Sequence, residues 1–229
     1  MNLLSVGNNA KTVKGDGSEY LTAILYLAPF RTIPGQNVCP MASLAKCGEA
    51  CLYTAGRGRM SSVQAGRIRK AKLLRDNPAE FERQLREDIE YHAAYCDKRG
   101  IKPVIRLNGT SDIDFRHIVR DYPAVQFYDY SKVYNRLDKG DMPQNYHITL
   151  SYSGASKRYS DAVVAAADRH NINLAVVFRD KANIPAEYLG RSVVSGDKDD
   201  LRFLDPCGVV VALYAKGTAK YDKSGFVVD

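Results

Sequence analysis

Three cysteines fall within thirteen residues, Cys39-Pro-Met-Ala-Ser-Leu-Ala-Lys-Cys47-Gly-Glu-Ala-Cys51, in the spacing C-x7-C-x3-C. They follow an apolar stretch, Leu21 to Ala28, that reads as a buried strand. Cys47 and Cys51 are four residues apart, about one helical turn, so their sulfurs can point the same way. Pro40 and Gly48 supply the bends by which Cys39 reaches them. Three thiolates can hold three irons of a four-iron cluster and leave one iron open. They can equally hold zinc, with a fourth ligand from Cys96, Cys207, a histidine or water. Cys96, late in a long helical pattern, and Cys207, just before a strand, have the character of core residues.

A second group of chemically capable residues sits where strands end. The run Arg106-Leu-Asn108-Gly109-Thr110-Ser111-Asp112-Ile-Asp114 closes one apolar stretch, and Gln126-Phe-Tyr128-Asp129-Tyr130-Ser131-Lys132 closes another. Arg106 is costly to bury without a partner, and Asp112 or Asp114 is the nearest candidate. Asp129 lies between aromatic residues that can raise its pKa or stack on a base. His147 with Ser151-Tyr152-Ser153-Gly154, Arg179-Asp180, and Gly196-Asp197 through Arg202-Phe203 repeat the pattern further on. Polar groups at successive strand ends imply one shared pocket, since parallel sheets collect their chemistry at the carboxyl ends of strands. Arg106, Asn108, Asp112 and Asp129 are the expected catalytic set, with Asp112 or Asp129 as general base or nucleophile.

Between Gly56 and Arg75 the chain carries Arg57, Arg59, Arg67, Arg69, Lys70, Lys72 and Arg75 with no acid until Asp76. A helix of one sign beside a metal loop is suited to tracking phosphates, so Arg57, Arg59, Arg67, Arg69, Lys70 and Lys72 are the expected nucleic-acid contacts. The whole chain agrees in sign: 33 Lys and Arg against 26 Asp and Glu give +7. No Walker-type glycine loop is present, which argues against a nucleotide-driven phosphotransferase.

The elements that must position these groups are legible as short β-branched or aromatic runs at 21–28, 103–107, 124–128, 146–151, 173–178, 192–195 and 208–214. Helical periodicity covers 61–75, 78–99, a short piece at 114–121, and 158–170, with Asn77 as cap and Pro78 in the first turn of the second. This alternation predicts an α/β fold with a mainly parallel sheet, open or closed into a partial TIM-like barrel. Residues 1–18 read as a polar N-terminal arm and 19–229 as a single domain. The 45% hydrophobic content is enough for a core. No 18-residue apolar run or secretory signal is visible, so the expectation is a cytoplasmic protein with reduced cysteines and no membrane partner.

Particular runs point to a family. Val38-Cys39-Pro40 with Cys47 and Cys51-Leu52, Thr54-Ala55-Gly56-Arg57-Gly58, Arg106-Leu-Asn108-Gly-Thr-Ser-Asp112-Ile113, Phe127-Tyr128-Asp129-Tyr130, and Gly196-Asp197 with Asp200-Leu-Arg202-Phe203-Leu-Asp205-Pro206 resemble the phage "gene product 88" family over nearly the whole chain. The resemblance implies a phage or prophage origin, a single domain, and work in the cytoplasm of an infected or lysogenic bacterium. In layout alone, a cysteine loop after the first strand of a barrel also resembles radical S-adenosylmethionine enzymes. The spacing departs from theirs, and no clear glycine-rich site for S-adenosylmethionine is present. Together these readings predict an enzyme that modifies nucleic acid, DNA rather than RNA, by base exchange or radical chemistry. The competing expectation is a non-catalytic nucleic-acid-binding phage protein with a structural metal.

Overall fold

The computed structural model describes residues 2–6, 19–51, 53 and 55–229. Nine strands form its frame: β1 (Leu4–Val6), β2 (Tyr20–Leu25), β3 (Lys102–Arg106), β4 (Gln126–Ser131), β5 (Tyr146–Ser151), β6 (Leu174–Phe178), β7 (Glu187–Tyr188), β8 (Arg191–Ser195) and β9 (Val210–Tyr214). They make one sheet in the order β1-β2-β3-β4-β5-β6-β9-β8-β7. From β2 to β8 every neighbouring pair is parallel. The two outermost strands are antiparallel to theirs.

This corrects the expectation of a sheet closed into a partial TIM-like barrel. Closure would require β2 to pair with β8. The free edge of β2 is already taken by β1, with Leu4 opposite Leu25, and that of β8 by β7, with Tyr188 opposite Arg191. The product is an open, mixed α/β sheet. Strand β1 also lies within the stretch read as a polar arm. Leu3, just before it, and Leu4 donate their amides to Asp88 at 2.5 and 2.8 Å, and Lys70 Nζ donates to Leu3 O at 2.5 Å. The rest of that arm, residues 7–18, lies outside the described residues.

The helices α1 (Ser61–Asp76), α2 (Pro78–Asp97), α3 (Arg116–Arg120) and α4 (Lys157–Arg169) follow local signals. Asn77 caps α2 by accepting from Glu80 N at 3.1 Å, with Pro78 inside the first turn. The buried residues of α2, Phe81, Leu85, Ile89, His92 and Cys96, recur every three or four positions and so share one face. Phe81, Leu85 and Ile89 of that face belong to the main core, which also holds Tyr159 and Val163 of α4 and Ile105, Phe127, Ile148, Leu150 and Val176 of the sheet.

Alternation along each strand sends the neighbouring side chains to the other face. There Val104 and Tyr128 pack with Leu201, Tyr20 and Phe203. Leu201 and Phe203 belong to the β8–β9 connection, residues 196–206, which crosses this face as a strap. Gly196 starts the crossing: a Cβ there would lie 2.6 Å from Leu213 Cδ2 and 2.9 Å from the Ala212 carbonyl oxygen. A bare backbone is therefore required for the strap to leave β8 over β9.

Candidate functional site

At the carboxyl ends of the parallel strands lies a cavity of about 190 Å³. Cys39, Cys47 and Cys51 line it together with Arg106, Asp112 and Lys132. The cysteine loop is fastened over the strand ends by local bonds. Asp112 N donates to Val38 O at 2.8 Å and Ser153 Oγ to Ala45 O at 2.7 Å. Phe30 and Lys46 hold left-handed backbone, φ 48° and 53°, which non-glycine residues adopt only where surrounding contacts impose it.

Cys39 Sγ accepts from Phe30 N at 3.3 Å and lies 3.8 Å from Thr110 O. Burial pushes the Cys39 thiol up to about 12 against that N–H donor, and the charges of Cys51, Asp112 and Cys47 add to the rise. Burial raises Cys51 as well, against a hydrogen bond from the Tyr53 backbone, and Cys47 raises it further. The three sulfurs thus share one electrostatic neighbourhood. Among the described residues no group of three or more His, Cys, Asp or Glu is drawn close enough to hold a metal ion as it stands. Cys96 is buried in α2, its Sγ 3.8 Å from His92 Nε2, whereas Cys207, expected in the core, is exposed; neither lines the cavity.

The polar loop after β3 is built by Asn108. Its Oδ1 accepts from Ser111 Oγ at 2.9 Å and Ile113 N at 2.8 Å, while Nδ2 donates to Ile113 O at 3.0 Å. This folds residues 108–113 into a compact turn that points Asp112 at the cavity wall. Gly109 must be bare, because a Cβ would meet Ile24 and the Tyr26 ring at 2.7 Å. The Asp112 carboxyl is fixed by Ser131 Oγ at 2.8 Å, Lys132 N at 2.7 Å and Arg136 Nη2 at 3.1 Å. Asp112 is also the wall shared with a second cleft of about 310 Å³, lined by Arg136 and Lys139 among others.

The expected partners of Arg106 require correction. Asp112 is engaged with Arg136, and Asp114 with Arg116 at 2.6 Å. Arg106 instead donates to Asp200 on the strap at 2.6 Å and lies over the rings of Tyr128 and Tyr130, at 5.4 and 5.0 Å. Burial is the largest influence and depresses the Arg106 guanidinium, but the charges of Asp200, Tyr128, Tyr130 and Asp129 together outweigh it and hold the group well above its ordinary value.

Asp129 lies on the helix-covered face and does not line the cavity. It is fully buried and accepts from Asn108 N at 2.9 Å, Asn108 Nδ2 at 3.2 Å and Tyr146 Oη at 2.8 Å. Its geometry is that of a group positioning the Asn108 turn. Burial raises its pKa to about 6, with Arg106 and the Asn108 amide opposing. A folded-state value above the unfolded one, about 3.9, means that the folded protein binds the extra proton. The associated stability is present below about pH 4 and lost as pH rises through 6. Wild type is therefore expected to lose roughly 2–3 kcal/mol relative to Asp129→Asn between pH 4 and pH 7, read by urea unfolding at each pH. A difference between the two proteins that does not change with pH would remove Asp129 as the titrating group.

The basic stretch divides. Arg57, Arg59, Arg69 and Lys72 are exposed. Arg67 turns inward, donating to Tyr53 O at 3.1 Å with its guanidinium over Tyr26 and Tyr53, and Lys70 ties down β1. Sequence reasoning did not single out Lys132, Ser151, Arg136 or Asp200 as site residues. Lys132 and Ser151 end strands already marked as polar, and that position was the available signal.

A family model for gene product 88 matches residues 2–229. The chain belongs to this family of phage proteins. No curated protein and no solved structure matches it. For this gene product 88 protein, the chemistry must therefore be read from the cavity itself. Among the described residues no helix is long and apolar enough to cross a membrane.

Proposed function

We propose that this protein is an enzyme that modifies nucleic acid, with the cavity beneath the cysteine loop as its reaction site and Cys39, Cys47 and Cys51 as the ligands of an iron–sulfur cluster or zinc. One observation carries the reading: three cysteines, none of them in a disulfide, line the same cavity as Arg106, Asp112 and Lys132, at the carboxyl ends of parallel strands. A purely structural zinc needs no cavity and no convergent polar groups, which favours the enzyme over the binding protein. Two of the sulfurs already receive backbone N–H donors, the outer-shell bonding that tunes metal-bound thiolates. Metal binding requires the cysteine protons to leave and the sulfurs to draw together around the ion. When bound, a cluster supplies electron transfer or radical chemistry, and zinc supplies Lewis-acid chemistry.

The chain's own residues then orient the reactant. Asp112 presents a carboxyl group fixed by three donors, and the Asn108 turn sets its angle. DNA is the expected polymer, acted on in the bacterial cytoplasm, and it approaches along the exposed cations of the stretch beginning at Arg57.

Salt titrations of single-stranded DNA binding test the reading. Removing both Arg69 and Lys72 as glutamines should weaken binding and shrink the slope of log K against log salt by about 0.7 for each charge. Arg67→Gln should lower the melting temperature instead, since Arg67 faces inward. Equal salt slopes for wild type and the double variant would argue against this surface. An RNA of the same sequence serves as the comparator.

A further inference from the structure

We infer that the cavity contains a subsite for the carboxylate or phosphate of a small second reactant, centred on Lys132 and bordered by Arg106 and the turn 109–111. The inference extends the reading above without depending on its metal.

Lys132 leaves the end of β4 with its Nζ at the cavity wall, donating to Ser151 Oγ at 2.8 Å and lying 5.1 Å from the centroid of the Phe226 ring. Both partners are neutral. Among the described residues no carboxylate lies within ion-pair distance of this amine. The nearby Asp112 carboxyl takes the Lys132 backbone N–H, and Arg136 is the cation that pairs with it. Arg106, which is buried, also lines the cavity. Asp200 occupies its Nη1, and its Nε has no hydrogen-bond partner among the described residues. A cation facing a half-enclosed cavity without a carboxylate partner, with an arginine of spare donor capacity in the same lining, is the arrangement that recognises an anionic oxygen group.

The size of the space limits the ligand. About 190 Å³ is below the roughly 300–1,000 Å³ typical of sites for drug-sized molecules. The occupant is therefore a small metabolite, or the anionic end of one. Val177, Leu213 and Phe226 supply an apolar wall for its remaining atoms.

The test uses the full chain, both stripped of metal and as purified. Sodium phosphate and sodium acetate are titrated separately at constant ionic strength, following the backbone amide resonances of Gly109, Thr110, Ser111 and Lys132. Saturable shifts are expected with at least one anion in both preparations, and the anion that saturates at lower concentration assigns the group. Lys132→Gln should weaken that binding about tenfold or more, the effect of deleting one charge-assisted hydrogen bond. Lys132→Arg should restore most of it. Lys157→Gln, which removes an exposed lysine paired with Asp161, should leave it unchanged. No saturable shift with either anion, or a Lys132→Gln protein that binds as tightly as wild type, would overturn the subsite. Displacement of the bound anion by a short single-stranded oligonucleotide would also overturn it, by assigning the contact to the polymer's own phosphate. Because the shifts require no metal, failure of the metal assignment leaves this result standing.

Discussion

Replacing Cys39, Cys47 and Cys51 together by serine should take protein purified without air from about one metal centre per chain to essentially none. The hydroxyl nearly matches the thiol in size but is a poor ligand for iron or zinc, so the change removes binding while sparing shape. Cys207→Ser is the control. Its thiol is exposed and outside the cavity, and the metal should stay. Far-ultraviolet circular dichroism should be nearly the same for all three proteins, because the cysteine loop contributes no strand to the sheet. Iron with labile sulfide and a broad visible band would favour redox or radical chemistry. Colourless stoichiometric zinc would favour a hydrolytic or structural centre. A wild-type protein without metal, or a triple variant that keeps it, would remove the cysteines from the proposed function.

The largest stability effect is expected at the pair between Arg106 and Asp200. Both are buried, and their bond of 2.6 Å is an ionic link between the strap 196–206 and β3. Tyr128 Oη adds a second donor to Asp200 at 3.1 Å. Asp200→Asn leaves the Arg106 charge inside the protein without its counter-charge, which costs about 3–5 kcal/mol. The double variant Arg106→Met with Asp200→Leu should recover most of that loss, since a buried ion pair contributes little over apolar groups of similar volume. Urea unfolding with an unchanged slope measures both. If Asp200→Asn costs under about 1 kcal/mol, the pair is solvated in a way the closed geometry of the strap does not allow.

These two sites differ in how far they could be read from the chain alone. The cysteine trio was legible because its parts lie within one loop, where spacing and bends act locally. The partner of Arg106 was not. The near carboxylates, Asp112 and Asp114, were taken by Arg136 and Arg116, and the true partner lies ninety-four residues further on. Asp129 shows a related limit. Tyr128, Asp129 and Tyr130 alternate across the sheet, and both faces of β4 are buried among aromatic or apolar neighbours. Polarity therefore gives no sign of which face meets the helices. The one-sided charge between Arg57 and Lys72 was visible, but its division into surface cations and the inward Arg67 and Lys70 depends on what packs against α1.

By itself the sequence determined the α/β alternation, the helix capped at Asn77 with Pro78, seven of the strands, the cysteine loop and the polar strand ends. Each of these follows from interactions between residues close in the chain: side-chain period, capping and turn chemistry. The tertiary structure alone decided that β1 and β7 occupy the sheet edges and keep it open. It also decided that the strap crosses one face to meet Arg106, that Lys132 faces the cavity without a carboxylate partner, and that Asp129 faces away from it. Those outcomes depend on pairings between distant segments and on which side of the sheet each side chain is buried. Local propensity carries no information about either choice, because a three-residue edge strand or a buried carboxyl group is stabilised by its neighbours in space.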